Sequence, residues 1–173
     1  MEIRDAVLDD FDVITAIYND VLMHSTAIYS NQPVTTEDRI AWWRARAAQG
    51  FPVLVAAVGQ HVIGFGTFGD FRAWPGYQFT VEGTIHIDSS ARGRGVGTAL
   101  LDALIVRAKT LDKHTMIAGV DSENLASLGF LKRYGFERVA HLPEVGYKFD
   151  RFLDLILLQY WITPRIRPLA DSP

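Results

Sequence analysis

The segment "TIHIDSSARGRGVGTALLDAL", Thr84 to Leu104, constrains the chain most: a β-branched stretch runs into a glycine-rich turn and then into an apolar helix. The six residues from Arg92 to Gly97 hold three glycines and two arginines. A strand ending at Ile87 or Asp88 and a helix starting near Val96 leave unpaired backbone N–H groups at the positive end of the helix dipole. Such an end is a phosphate site. Gly93, Gly95 and Gly97 let a ligand approach the backbone, and Arg92 and Arg94 add charge-assisted contacts. The competing reading is a plain glycine-rich turn with two solvated arginines. Two nucleotide motifs are excluded: no lysine lies between Arg92 and Asp102, as a Walker loop requires, and Thr98 stands where a Rossmann fingerprint needs glycine.

The rest of the chain supplies the partners of this unit. "EIRDAV" reads as a first strand, and Phe11, Ile14, Ile17, Tyr18, Val21 and Leu22 recur at helical spacing behind an Asp9 or Asp10 cap. "TTEDRIAWWRARAAQG" predicts a second helix capped by Thr35 or Thr36 and stopped by Gly50. "PVLVAAV" and "HVIGFGTFGDF" form a hairpin around Gly59 and Gln60, and "YQFTVEGTIHID" adds a strand. After the long helix, "TMIAGVD" is a buried strand and "NLASLGFLKRYGF" a short helix ending near Gly135. "FERVAHL" and "YKFDRFLDLILLQYWI" are two closing strands. Interleaved helices and strands of this kind predict an α/β or α+β domain with a mixed sheet. The 173 residues suit one domain, read as residues 1–163 with a loose tail over 164–173.

Charge narrows the partners. Seventeen basic and twenty acidic residues leave a net charge of −3, so no global positive field draws the chain to nucleic acid or to an anionic membrane. With no cysteine, disulfides and acyl transfer through a protein thiol are excluded. The acidic N-terminus lacks a secretory signal and the longest apolar run is too short to span a bilayer, which predicts a cytoplasmic protein. The five histidines show no chelating spacing, so no metal is expected.

"RGRGVG" resembles the pyrophosphate loop, Arg/Gln-x-x-Gly-x-Gly/Ala, of the Gcn5-related N-acetyltransferase superfamily. The order strand, loop, long helix, strand, short helix and "YGF" resembles that superfamily too. More narrowly, "AIYND", "STAIYSNQPV", "FGDFR", "TVEGTIHI", "NLASLGF" and "VGYKFDRFLDL" are similar to the phosphinothricin and methionine sulfoximine acetyltransferases, over about Ile3 to Ile162. The resemblance implies a single-domain acetyltransferase fold with a splayed central sheet flanked by helices, acetyl-CoA as donor, and a small amino-acid-like amine as acceptor. It also implies that Ile85, His86 and Ile87 contact the cofactor through their backbone, that Arg92, Gly93, Arg94, Gly95, Val96 and Gly97 cradle its pyrophosphate, and that Asn124 contacts it farther along. The family commonly forms homodimers, and the apolar final strand and the aromatic "AWWRARA" helix offer surface for pairing, though core packing explains those aromatics equally well.

Acetyl transfer to an amine needs a group that takes a proton from the ammonium. Glu82 interrupts a β-branched strand in "TVEGTI", and the matching glutamate is the family's proposed general base; a solvent-facing strand glutamate is the alternative. An ordinary glutamate, pKa about 4.3, is a poor match for an amine proton, so either burial raises it or a water relays the proton. Arg72 in "FGDFRAW" is either a surface arginine or a bidentate clasp for an α-carboxylate. The resemblance favours the clasp, with Tyr29 and Trp74 as walls of the acceptor pocket. His86 shares a strand face with Glu82 and is either a proton relay or a packed histidine. One position departs from the family: Leu131 stands where a tyrosine or histidine protonates the leaving thiolate, and Tyr134 reads as a core aromatic. That departure keeps open a non-catalytic CoA-binding module, and another amine, such as a polyamine, an antibiotic or a protein N-terminus, remains a second acceptor class.

Overall fold

The computed structural model describes residues 1–165; the predicted tail falls mostly outside them. Seven strands form one sheet: β1 (Glu2–Asp5), β2 (Val53–Val58), β3 (His61–Asp70), β4 (Thr80–Ile87), β5 (Thr115–Asp121), β6 (Glu137–Lys148) and β7 (Arg151–Trp161), in the spatial order β1-β2-β3-β4-β5-β7-β6. Four α-helices accompany them: α1 (Phe11–His24), α2 (Thr36–Ala48), α3 (Val96–Thr110) and α4 (Leu125–Tyr134). β4 and β5 are parallel and every other pair is antiparallel, which is the mixed sheet the sequence predicts.

Strand alternation sends side chains to two separate cores. Leu54, Phe68, Val81, Met116 and Ala118 pack under α3 and α4, against Leu100, Leu104 and Leu131. Val53, Val55 and Phe65 pack under α1 and α2, against Phe11, Ile14 and Ile17. Trp43 of α2 stacks on Phe11 with centroids 4.9 Å apart, so this aromatic is part of the core and not a free surface for pairing. The exposed apolar residues instead include Val139, Leu142, Val145 and Tyr147, along the edge strand β6.

Local signals resolve two helix starts. Thr35 caps α2, accepting from Asp38 N–H while the Asp38 carboxylate accepts from Thr35 N–H, a reciprocal capping box. Asp10 occupies the cap position of α1 without capping it: its carboxylate takes a bidentate pair from Arg4 at 2.7 and 2.8 Å and accepts from Val7 N–H. The last hairpin turns later than the division into "FERVAHL" and "YKFDRFLDLILLQYWI" implies. Tyr147 and Lys148 belong to β6, and the chain reverses at Phe149 and Asp150, whose φ values of 52° and 57° fit a primed hairpin turn. Pro143 and Gly146 sit within a register shift of β6.

One feature of the sheet positions the site. β4 pairs with β5 only from Thr80–Glu82 to Thr115–Ile117, while β5 stays paired to β7 through Asp121. From Gly83 to Ile87 the β5 side of β4 therefore has no strand partner, and the sheet splays.

Candidate functional site

The splay and the glycine-rich turn open onto one cleft of about 1000 Å³. Its lining includes Ile85, His86, Ile87, Arg92, Gly93, Gly95, Val96, Gly97 and Asn124, so nine of the ten residues expected to hold the cofactor meet there. Arg94 is the exception; it is exposed and does not line the cleft. Gly93 and Gly95 have φ values of 74° and 81°, in the left-handed region where L side chains are strained, and a Cβ on either would meet nothing of the protein within 4 Å. Gly97 is closely packed: a Cβ would stand 3.2 Å from Ile87 Cδ1 and 3.3 Å from Phe130 Cζ, and those side chains would have to give way. Gly95 caps α3, so the free N–H groups of its first turn lie at the cleft wall.

The main chain of β4 alternates across its two sides. Asp88 N–H donates to Ile63 on the β3 side, and the His86 carbonyl faces Gly64 of β3. Alternation turns the N–H and C=O of Ile85 and Ile87 into the gap. Ile85 and Ile87 therefore have main-chain groups directed at the gap, whereas the His86 carbonyl is turned to β3. An inner cavity of about 130 Å³ continues the gap past Thr84, Gly119 and Asp121.

Glu82 stands at the closed end of the gap, on the α1/α2 face of the sheet. It is the register partner of Gly69 on β3 and of Ile117 on β5, and its Oε1 lies 3.4 Å from where a Cβ on Gly119 would be. The carboxylate reaches solvent but is crowded enough that burial pushes its pKa above the usual glutamate value, opposed by the guanidiniums of Arg72 and then Arg46. Two residues farther along the same face of β5, Asp121 approaches the Tyr29 hydroxyl at 3.4 Å, which also lies 3.3 Å from the Asp154 carbonyl. Burial and then the Asp121 charge raise the Tyr29 phenol to about 12. Tyr29, Arg72 and Glu82 thus belong to one surface. Trp74 stands 75% exposed on the loop after β3.

His86 is packed, with Phe65 at 5.3 Å and Tyr18 edge-on at 5.9 Å between ring centroids. Burial first, and the Arg39 charge second, lower its pKa to about 4. Near neutral pH such a ring is uncharged, and its contacts are those of a packed histidine. Leu131 is buried in the α3/α4 core, and the Tyr134 hydroxyl donates to Asp102 on α3 at 2.6 Å. Neither presents a free acid to a leaving group.

Lys148 escapes sequence reasoning altogether. Fully buried, it donates to the carbonyls of Leu22, Ser25 and Ile28, the last two at 2.7 and 2.8 Å, and so fixes the chain after α1. Ser25, Thr26 and Ala27 of that segment line the cleft and Tyr29 follows it. A lysine beside a hairpin turn carries no local mark of this role. Arg46 is the second omission; it follows ordinary helical spacing, and only the bare Gly69 opposite it marks where it goes.

Comparison with known proteins agrees with this geometry. Residues 14–136 match the acetyltransferase (GNAT) family. An L-methionine sulfoximine/L-methionine sulfone acetyltransferase of Pseudomonas paraeruginosa is 44% identical over 164 residues, 94% of this chain and 95% of its own. A phosphinothricin N-acetyltransferase of Streptomyces coelicolor is 31% identical over 158 residues, 90% of this chain and 92% of its own. The structure of an acetyltransferase from Salmonella typhimurium with its cofactor acetyl-CoA superposes with a TM-score of 0.91 at 39% identity, covering 98% of both chains.

Proposed function

The chain belongs to the GNAT acetyltransferase family, and from its acceptor surface we propose that it acetylates the α-amine of a small oxidised amino acid, of the methionine sulfoximine, methionine sulfone or phosphinothricin type. It is an acetyl-CoA-dependent N-acetyltransferase, and a non-catalytic binding module is set aside. The observation that carries the acceptor reading is the convergence of Glu82 with two guanidiniums on one open sheet face at the end of the gap. An amine and a carboxylate borne on one carbon match that arrangement; a polycationic acceptor would meet two like charges.

Acetyl-CoA supplies an activated acetyl thioester. In our reading, Gly93, Gly95 and the first turn of α3 hold its pyrophosphate, Arg92 adds charge, and Ile85 and Ile87 offer main-chain groups to its arm. Their gap-side N–H groups also supply donors for a developing oxyanion. Arg72 clasps the acceptor carboxylate. Glu82 takes the ammonium proton, directly or through one water: its raised pKa brings it closer to the amine, and the opposing guanidiniums preserve the carboxylate that must accept the proton. No side chain is assigned to protonate the leaving thiolate, which at a pKa of about 8.5 departs with solvent help.

A thiol-release assay with acetyl-CoA and methionine sulfoximine, methionine sulfone, phosphinothricin, spermidine and a peptide N-terminus tests the reading. Release confined to the amino acids supports it; release with spermidine or peptide alone overturns it. We also read the protein as a cytoplasmic homodimer pairing through the apolar edge of β6. No helix among the described residues is long and apolar enough to cross a membrane. Light scattering that gives the mass of one chain overturns the dimer.

A further inference from the structure

Arg46 lies on the acceptor face, and among the described residues its side chain closes no hydrogen bond or ion pair. It leaves α2 half-buried, passes the Trp42 ring at 5.6 Å, and lays its guanidinium against the bare Cα of Gly69, where a Cβ would overlap Nη1. Gly69 is the register partner of Glu82, so the guanidinium sits across one strand spacing from the base. Asp70 and Glu82 both act on it electrostatically, yet neither closes an ion pair with it among the described residues. A half-buried guanidinium beside Glu82 has donors that the fold does not use and that a ligand can engage.

We propose that Arg46 is an acceptor-specificity residue that binds the side-chain oxygen of the oxidised amino acid, the S=O of a sulfoximine or sulfone or the P–O of a phosphinate, while Arg72 holds the α-carboxylate. This rests on the acceptor class proposed above. The division follows from hydration. A carboxylate competes with water for an exposed guanidinium such as Arg72, whereas a sulfone oxygen, polarised but neutral, is a weak ligand for a solvated cation. It gains from a guanidinium that burial has already stripped of part of its water. A pocket with such a donor favours the oxidised side chain over methionine, which leaves the donor unpaired.

Two variants test this, with methionine sulfone and methionine compared as acceptors, or methionine as a competitive inhibitor where its turnover is too low. Arg46→Gln removes the charge; Gly69→Ala keeps it but displaces the guanidinium, and because the displaced atoms end a flexible side chain the fold survives. Both variants raise KM for the sulfone about 10- to 100-fold, the range for a hydrogen bond to a charged group. KM or Ki for methionine stays within about twofold by the same reasoning, and Arg46→Lys recovers part of the difference. Equal changes for both amino acids, or no change for the sulfone, overturn the role of Arg46 alone. A wild-type enzyme that acetylates none of these amino acids overturns the acceptor class and this inference with it.

Discussion

Acid should loosen this fold at the strand that builds the cofactor gap. The His86 ring is buried to 7% exposure against Phe65 and Tyr18, and its pKa falls from 6.5 to about 4 on folding. Because the folded value is depressed, the unfolded chain binds the extra proton between pH 6.5 and 4, and stability is lost as pH falls through that window. With about 1.4 kcal/mol per pKa unit, the native state gives up about 2 kcal/mol between pH 7 and 5 and about 3 kcal/mol by pH 4. Carboxylates titrate in the same range, so the comparison is with His86→Phe, which keeps an aromatic ring and removes the proton site. Urea denaturation of both proteins from pH 7.5 to 4.5 gives the difference in unfolding free energy directly. That difference should grow in favour of the variant below pH 6.5 and be flat above it. A difference independent of pH would refute the burial argument. Growth that disappears in Arg39→Met would assign the shift chiefly to the guanidinium, which contributes less than burial in this structure.

Glu82→Gln should lower kcat by about 10²–10⁴, the usual reach of general acid–base catalysis, and the wild-type acidic limb of kcat/KM should lie above an ordinary glutamate, since activity falls as the raised carboxylate protonates; steady-state kinetics across pH check both. Gly95→Ala places a side chain at φ 81°, a strain of about 1–2 kcal/mol, and should raise KM for acetyl-CoA while lowering the melting temperature only slightly. Lys148→Met leaves three carbonyls without their donor, a loss of about 3 kcal/mol or more visible in chemical denaturation, and raises KM for both substrates because the segment it anchors lines the cleft.

The cofactor loop was legible in sequence because its physics is local. Three glycines at alternate positions and the following helix determine where N–H groups point within a few residues, and the structure brings nine of ten expected residues to one cleft. Misreadings arose where a side chain answers to distant chain. The sequence divides the closing strands after "FERVAHL", but the reversal occurs at two non-glycine residues of positive φ, a position that strand register fixes and composition does not mark. His86 lies on the expected strand and lines the cleft, but its carbonyl turns to β3, because alternation relative to β3 depends on pairing register. Arg46, Gly69 and Glu82 are each unremarkable letters, far apart in sequence, and their meaning is their coincidence.

That coincidence shows why the splay and the acceptor surface belong together. A strand pair that stayed closed beyond Glu82 would bond the Ile85 and Ile87 main chain to β5 and leave no route between the faces of the sheet. Opening it only after the Glu82–Ile117 register sets the base at the apex of the gap, where a ligand entering from the α3 side and one resting on the α1/α2 side can meet. Small residues keep the apex clear: Gly119 faces the Glu82 carboxylate at ordinary contact distance, and Gly69 admits the Arg46 guanidinium on its other flank. A larger side chain at Gly119 would press on the base from β5, and one at Gly69 would expel the cation from β3. The two glycines therefore act on the carboxylate from opposite flanks, one keeping β5 bare beside it and the other admitting positive charge on the β3 side.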